Sequence, residues 1–241
     1  MITCHTDVVG SLLRPDELVR ARDAFAGGAI DEGRFLEIEN RAVDAAIALQ
    51  EAAGLEVVTD GEQRRLSFQS QMTEAVDGFG DHDIDAFLWG EWKGEAVGDL
   101  SIERPKSLGV VGKLERRRYL SVDEFLYLRD HTDRIPKVTL PSPSLFANFW
   151  SYDVSREAYP TLESFLADVV GILREEVAEL VRHGATYIQI DAPHYTLLLD
   201  PQTRAFYESR GWDLDAWLSD GIEMDNAVMS GHKDVTFGFH L

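Results

Sequence analysis

Ala185-Thr186-Tyr187-Ile188-Gln189-Ile190-Asp191-Ala192-Pro193-His194 is the stretch whose reading decides the fold. Its first half, Thr186 to Ile190, is β-branched, aromatic and apolar, the composition of a strand buried in a parallel sheet. An acid then appears, followed closely by a strand-breaking proline. Side chains at the carboxyl ends of parallel strands share one mouth, and ligands bind there. An aspartate at that point costs desolvation unless a cation or hydrogen-bond donor meets it. Asp191 is therefore a candidate ligand-binding acid, with a loop cap as the plainer alternative.

Working outward, the segment before this strand is the clearest helix of the chain. Thr161 stands as N-cap behind Pro160. Leu162, Phe165, Leu166, Val169, Leu173, Val177, Leu180 and Val181 make one apolar stripe, and His183-Gly184 stops it. Lys137–Leu140 reads as a strand closed by Pro141-Ser142-Pro143-Ser144, a rigid loop that offers hydroxyls at the mouth. Trp150 follows, as a stacking face or a core residue. Ser121–Thr132 predicts a helix with Ser121 as cap and Glu124 completing a capping box.

Nearer the start, residues 31–53 are helical in period, with Gly54 as the terminating glycine, and Leu55–Thr59 is a strand running into Asp60-Gly61-Glu62. Thr6–Gly10 predicts a first strand. Gly10 and Ser11 would bring backbone N–H groups and a hydroxyl close to a ligand. Residues 66–120 predict an elaborated loop or hairpin insertion, in which Ser107–Gly112 is either a third strand or a hairpin partner. Phe87, Leu88, Trp89 and Trp92 there lack a clean period, and Arg116, Arg117 and Arg118 read as a salt-bridged face. After Asp191 comes a helical region through Leu214–Leu218 and Ile222–Met229, then a last strand over Asp234–Leu241 with His240 near its end.

Strands alternating with helices imply parallel α/β architecture. Acids, Gly-Ser, Pro-Ser and His at strand ends match the catalytic face of a TIM barrel. The expectation is one catalytic barrel domain over residues 1–241, incomplete at about six of the eight βα units such a barrel needs. An apolar closing strand without a covering helix would invite self-association. The formal charge is −20, which repels nucleic acid and anionic membranes. One cysteine allows no internal disulfide and suits a reducing cytosol; with neither an apolar leader nor a spanning segment in view, a cytoplasmic enzyme is expected.

His5-Thr6-Asp7-Val8-Val9-Gly10-Ser11 with Arg14-Pro15, Gly61-Glu62 with Arg65, and Ile188-Gln189-Ile190-Asp191-Ala192-Pro193 together resemble the C-terminal catalytic barrel of cobalamin-independent methionine synthase. The resemblance runs in order along nearly the whole chain, through Pro141–Ser144 and Asn148–Trp150. It implies a zinc-dependent methyl transfer to the thiol of homocysteine or a similar amino acid thiol. It also implies that Gly10, Ser11, Glu62 and Asp191 hold the amino acid substrate. Trp150, Ser142 and Ser144 are then candidate contacts to the methyl donor, a folate or another compound. His240 with Leu241 matches the first two positions of the family's His-x-Cys metal motif, and the other ligands are expected beyond Leu241. The family pattern Asp-Glu-Pro is Asp191-Ala192-Pro193 here, which leaves the donor open. His194 is a candidate substitute ligand or proton carrier; Cys4 and His5 are not counted as ligands. The alternatives are a metal-free amino-acid-binding module, an inactive truncated fragment, or a decarboxylase-like member of the wider barrel superfamily.

Overall fold

The computed structural model describes residues 6–81 and 108–241. In chain order these are α1 (Asp16–Ala26), α2 (Glu32–Ala52), β1 (Val57–Val58), α3 (Ser70–Ala75), β2 (Val76–Asp81), β3 (Leu108–Arg116), α4 (Val122–Asp130) and β4 (Ile135–Pro141). A 3-10 segment, Pro143–Phe149, leads to α5 (Tyr152–Ser155), α6 (Leu162–Arg182), β5 (Tyr187–Asp191), α7 (His194–Leu197), α8 (Pro201–Ser209), α9 (Leu214–Met229) and β6 (Thr236–His240).

Four strands form a parallel sheet in the order β1-β4-β5-β6. The order advances in one direction, as in a barrel, rather than reversing as in a doubly wound sheet. Register is continuous across the mouth: Pro141 pairs with Asp191, and Asp191 with His240. β2 and β3 make a separate antiparallel pair, so within the expected Ser107–Gly112 strand the described residues 108–112 belong to a hairpin partner and not to the main sheet. The loop aromatics Phe87, Leu88, Trp89 and Trp92 lie outside the described residues.

α6 is capped as its sequence predicts. Thr161 accepts from Ser164 N, and the reciprocal bond completes a capping box. Phe165, Val169, Leu173, Val177 and Leu180 are completely buried along its inner face. Each such side chain contributes about 1.5–3 kcal/mol relative to exposure. These side chains share one buried core with Val138 and Leu140 of β4 and Ile188 and Ile190 of β5. Among the described residues no helix is long and apolar enough to cross a membrane.

Two expectations are corrected. Thr6–Gly10 is no strand: Val8 O accepts from Lys137 Nζ at 2.5 Å and Val9 O from Gln189 Nε2 at 2.7 Å. Side chains thus meet backbone groups that a sheet ladder would otherwise need to satisfy. Ser121 makes no capping bond, because its hydroxyl accepts from Gln71 Nε2 and Glu124 is drawn to Arg65. The helical region after residue 213 is one helix, α9, with Gly221 inside it, as the sequence predicts. α1 was not anticipated, although Pro15 followed by Asp16 and Glu17 is a helix-starting signal. The arginines do form a paired face: Arg116 with Glu175 at 2.7 Å, Arg117 with Asp77 at 3.1 Å and Arg118 with Glu74 at 3.8 Å.

Candidate active site

The turn after β1 is built by short polar bonds. Gly61 N donates to Thr59 Oγ1 at 3.1 Å, and Glu62 N donates to Asp60 Oδ1 at 2.9 Å. Both Gly61 (φ 69°) and Glu62 (φ 53°) are left-handed. For a residue with a side chain this costs on the order of 1–3 kcal/mol and persists only where neighbours enforce it. Leu12 N bonds Gly61 O at 3.0 Å, and Arg14 Nη2 bonds Glu62 O at 3.1 Å. The segment around Ser11 and the β1 turn therefore hold each other.

The strained turn delivers the Glu62 carboxylate into the sheet end. Its Oε2 accepts from Ser11 Oγ at 2.5 Å; its Oε1 accepts from Thr139 Oγ1 at 2.7 Å and faces Arg65 Nη1 at 3.3 Å. Arg65, almost wholly buried, also donates to Glu124 Oε2 at 2.7 Å and to Thr139 O at 3.1 Å. Burial opposes its charge, but the carboxylates of Glu124, Glu62 and Asp60 outweigh that and hold its pKa above the ordinary value. Asp60 is pushed up to about 6, by burial first and by the nearby Glu124. Its Oδ2 is buried without a hydrogen-bond partner.

Across the mouth, Asp191 Oδ1 accepts from Gln189 Nε2 at 2.6 Å and lies 3.0 Å from His240 Nδ1. Burial raises the Asp191 pKa, as does the Glu62 charge, against the bonds from Gln189 and His240. An Nδ1–H directed at a carboxylate leaves Nε2 with its lone pair, the arrangement usual for a metal-ligating histidine. His240 so fits as one ligand. Among the described residues no three His, Cys, Asp or Glu side chains come together as a metal site.

The structure brings Ser11 to Glu62 and His240 to Asp191, with Glu62 close enough for its charge to raise the Asp191 pKa. A Cβ built on Gly10 meets nothing within 4 Å, so packing does not demand glycine there. Ser142 and Ser144 are buried and bonded to one another at 3.0 Å. Trp150 instead donates its indole N–H to Tyr159 O and lines a groove of about 1080 Å³ between α6 and α9; neither acid nor His240 lines it. His194 is fully buried with Nε2 on Ser144 at 2.8 Å, and burial lowers its pKa to about 3, so it is neutral and apart from His240. Ala192 is buried, its N–H donating to His240 O at 2.8 Å. Cys4 and His5 lie outside the described residues.

Sequence reading missed two groups that shape the mouth. Lys137, wholly buried, bridges Asp7 Oδ2 (3.1 Å), Val8 O and Gln189 Oε1 (2.7 Å). Thr139 passes a hydrogen bond from Arg65 to Glu62. Both lie on β4, where a lysine and a threonine inside an apolar strand were the available signal.

The family model described as cobalamin-independent synthase, catalytic domain, matches residues 4–212. The chain belongs to that family. A methionine synthase of Pyrococcus abyssi is 33% identical over 189 residues, covering 78% of this chain and 51% of that protein. Among solved structures, a putative vitamin-B12-independent methionine synthase from Listeria monocytogenes superposes with TM-score 0.71 at 20% identity, covering 97% of this chain and 63% of that one. A B12-independent methionine synthase from Shewanella sp. W3-18-1, solved with selenomethionine, gives TM-score 0.68 at 21% identity, over 98% of this chain and 60% of that one. These likenesses show a TIM-barrel-type fold. The family member described here spans between half and two thirds of the length of these three proteins.

Proposed function

We propose that this protein is a methyltransferase of the methionine synthase type, which methylates the thiol of homocysteine or a similar amino acid. The observation that carries the reading is that Glu62, bonded to Ser11, stands near enough at the strand ends for its charge to raise the pKa of Asp191, which is bonded to His240. A substrate ammonium suits that negative pair, because a charge-assisted contact at a desolvated carboxylate is strong. In this reading the Asp191 oxygen not engaged by Gln189 and His240 takes the ammonium. Glu62, held by Ser11, Thr139 and Arg65, supplies the field behind it. Gly10 and Ser11 offer backbone N–H groups to the substrate carboxylate. Trp150, Ser142 and Ser144 are the candidate region for the methyl donor, a folate or another compound.

Methyl transfer forms a carbon–sulfur bond as the bond between the methyl group and the donor breaks, the donor keeping the electron pair. The thiol proton is released, so the substrate sulfur must reach its thiolate form. Zinc supplies that chemistry when bound, since coordination deprotonates a thiol at neutral pH. His240 would be one ligand, with Asp191 behind it; a catalytic site of this type needs two further protein ligands. Within the residues described, the protein's own contribution is to bind and orient the amino acid and to keep the His240 ring turned by Asp191.

Calorimetry with L-homocysteine, zinc analysis and a methyl-transfer assay with several donors, among them a methyltetrahydrofolate, test the reading. Binding, zinc and transfer in the complete protein support it. Binding without zinc or transfer means a binding module. Absence of homocysteine binding removes the proposal.

A further inference from the structure

Behind the mouth lies a second polar cluster, in which Ser142 and Ser144 meet His194, Tyr195 and Asp225, the last three with no part in the proposed chemistry. Ser142, Ser144 and His194 are completely buried, and Asp225 of α9 is 2% exposed. Tyr195 O–H donates to Asp225 Oδ2 at 2.8 Å, Tyr195 and Ser144 hydroxyls are 2.9 Å apart, and Ser144 Oγ is 2.8 Å from His194 Nε2. α9 can come this close because residue 221 is glycine: a Cβ there would collide with the Tyr195 hydroxyl and with Ser144.

Two atoms in the cluster lack partners, His194 Nδ1 and Asp225 Oδ1. The first fixes the order of protons. A hydrogen on Nδ1 would be a buried donor with nothing to meet, which costs more than an unused lone pair. His194 therefore donates from Nε2 to Ser144, Ser144 donates to Tyr195, and Tyr195 donates to Asp225. The row ends on an acceptor. A proton on Asp225 Oδ2 would compete with the Tyr195 hydroxyl for that place, and a proton on Oδ1 would be a buried donor with nothing to meet, so either form costs the row.

This row is tied to Asp191 through the backbone. Ser142 N donates to Asp191 O at 2.8 Å, and Tyr195 N donates to Ala192 O at 3.1 Å. The loop after β4 thus holds Asp191 through Ser142, Tyr195 closes the turn that begins at Ala192, and the hydroxyls of both face the Asp225 carboxylate. We propose that Asp225 is a positioning residue for Asp191, and that it acts only as the carboxylate, so that protonating it loosens the strand-end loops.

Charge at Asp225 is held by little. Burial raises its pKa to about 6, opposed by the hydroxyls of Ser142 and Tyr195. The groups facing it are those two hydroxyls and, beyond them, the neutral His194. Glu163 of α6, Asp220 and Glu223 of α9, and Arg210 line the groove on the solvent side. The sign follows: above about pH 6 the row is complete, and below it the row is broken.

The test is nuclear magnetic resonance of the complete protein between pH 5 and 8, with Asp225→Asn and Tyr195→Phe beside it. The Asp191 amide and the Trp217 indole signal should move together with a midpoint near pH 6, since Trp217 Nε1 donates to Ser144 O at 3.3 Å. That step should vanish in Asp225→Asn and shrink in Tyr195→Phe, which keeps the ring should the first variant fail to fold. L-homocysteine affinity, which rests on the functional reading above, should fall three- to tenfold in both variants at pH 7.5 and in the parent protein below pH 6. A step that persists in Asp225→Asn, or none in the parent protein, overturns the inference. If homocysteine binds nothing while the step behaves as stated, the functional reading fails and the positioning role stands.

Discussion

Asp191 and His240 are register partners on neighbouring parallel strands, and their side chains meet at 3.0 Å between Oδ1 and Nδ1. The contact orients the imidazole and leaves Asp191 an oxygen for a cation. Asp191→Asn keeps the shape and removes the charge. Affinity for L-homocysteine should fall by about 1.5–3 kcal/mol, roughly ten- to a hundredfold, the scale of a hydrogen bond to a charged group. Titration calorimetry reads it directly, and an unchanged affinity takes Asp191 out of the site.

Asp60 should limit stability at neutral and alkaline pH. Its folded pKa is about 6 against 3.8 unfolded, so the unfolded chain ionises first as pH rises. The penalty begins near pH 4, grows to about pH 6 and is constant above it. Asp60→Asn retains an acceptor for Glu62 N and removes the buried charge. Urea unfolding at pH 8 should show a gain on the order of 2 kcal/mol, fading to nothing near pH 4.

Among the described residues Arg65 is the one cation paired with the Glu62 carboxylate, and it also pairs with Glu124. Arg65→Met fills similar space but strands buried acids. A loss of about 3–5 kcal/mol is expected at pH 7. Repeating the denaturation at pH 4.5 should recover part of it as the stranded acids take up protons; equal loss at both pH values would speak against the charge account.

Lys137 ties the segment before α1 to the sheet through Asp7, Val8 O and Gln189. Hydrogen exchange over residues 6–12 should be slow in the parent protein and accelerate strongly in Lys137→Met, while α6 stays protected. Equal protection in both proteins would mean that the Gln189 and Gly61 contacts suffice.

Helices α2, α4 and α6 and strands β4, β5 and β6 were legible because their apolar periodicity is set by the same burial that stabilises them. The Asp191 strand end was legible for the converse reason: an acid after an apolar run has no packing explanation. Thr6–Gly10 misled because its β-branched composition fits a strand, while its backbone partners, Lys137 and Gln189, lie 129 and 180 residues away in sequence. Ser121 and Glu124 misled because a local capping pattern lost to Arg65, whose charge was invisible as a competitor until the turn brought it in. The Asp225 cluster left no local trace, since its members come from three separated loops and helices.

The left-handed turn at Gly61-Glu62 has a consequence for how such a mouth can diversify. Its carboxylate is aimed by backbone conformation and by an arginine that also reaches Glu124 and Thr139, so a drift at Glu62 unsettles the strand ends along with any ligand contact. Gly10, whose Cβ position is empty, carries no such burden. Inherited change in ligand preference should therefore accumulate in the loops around the rim, while the acid-and-arginine frame beneath them passes unaltered from one descendant to the next.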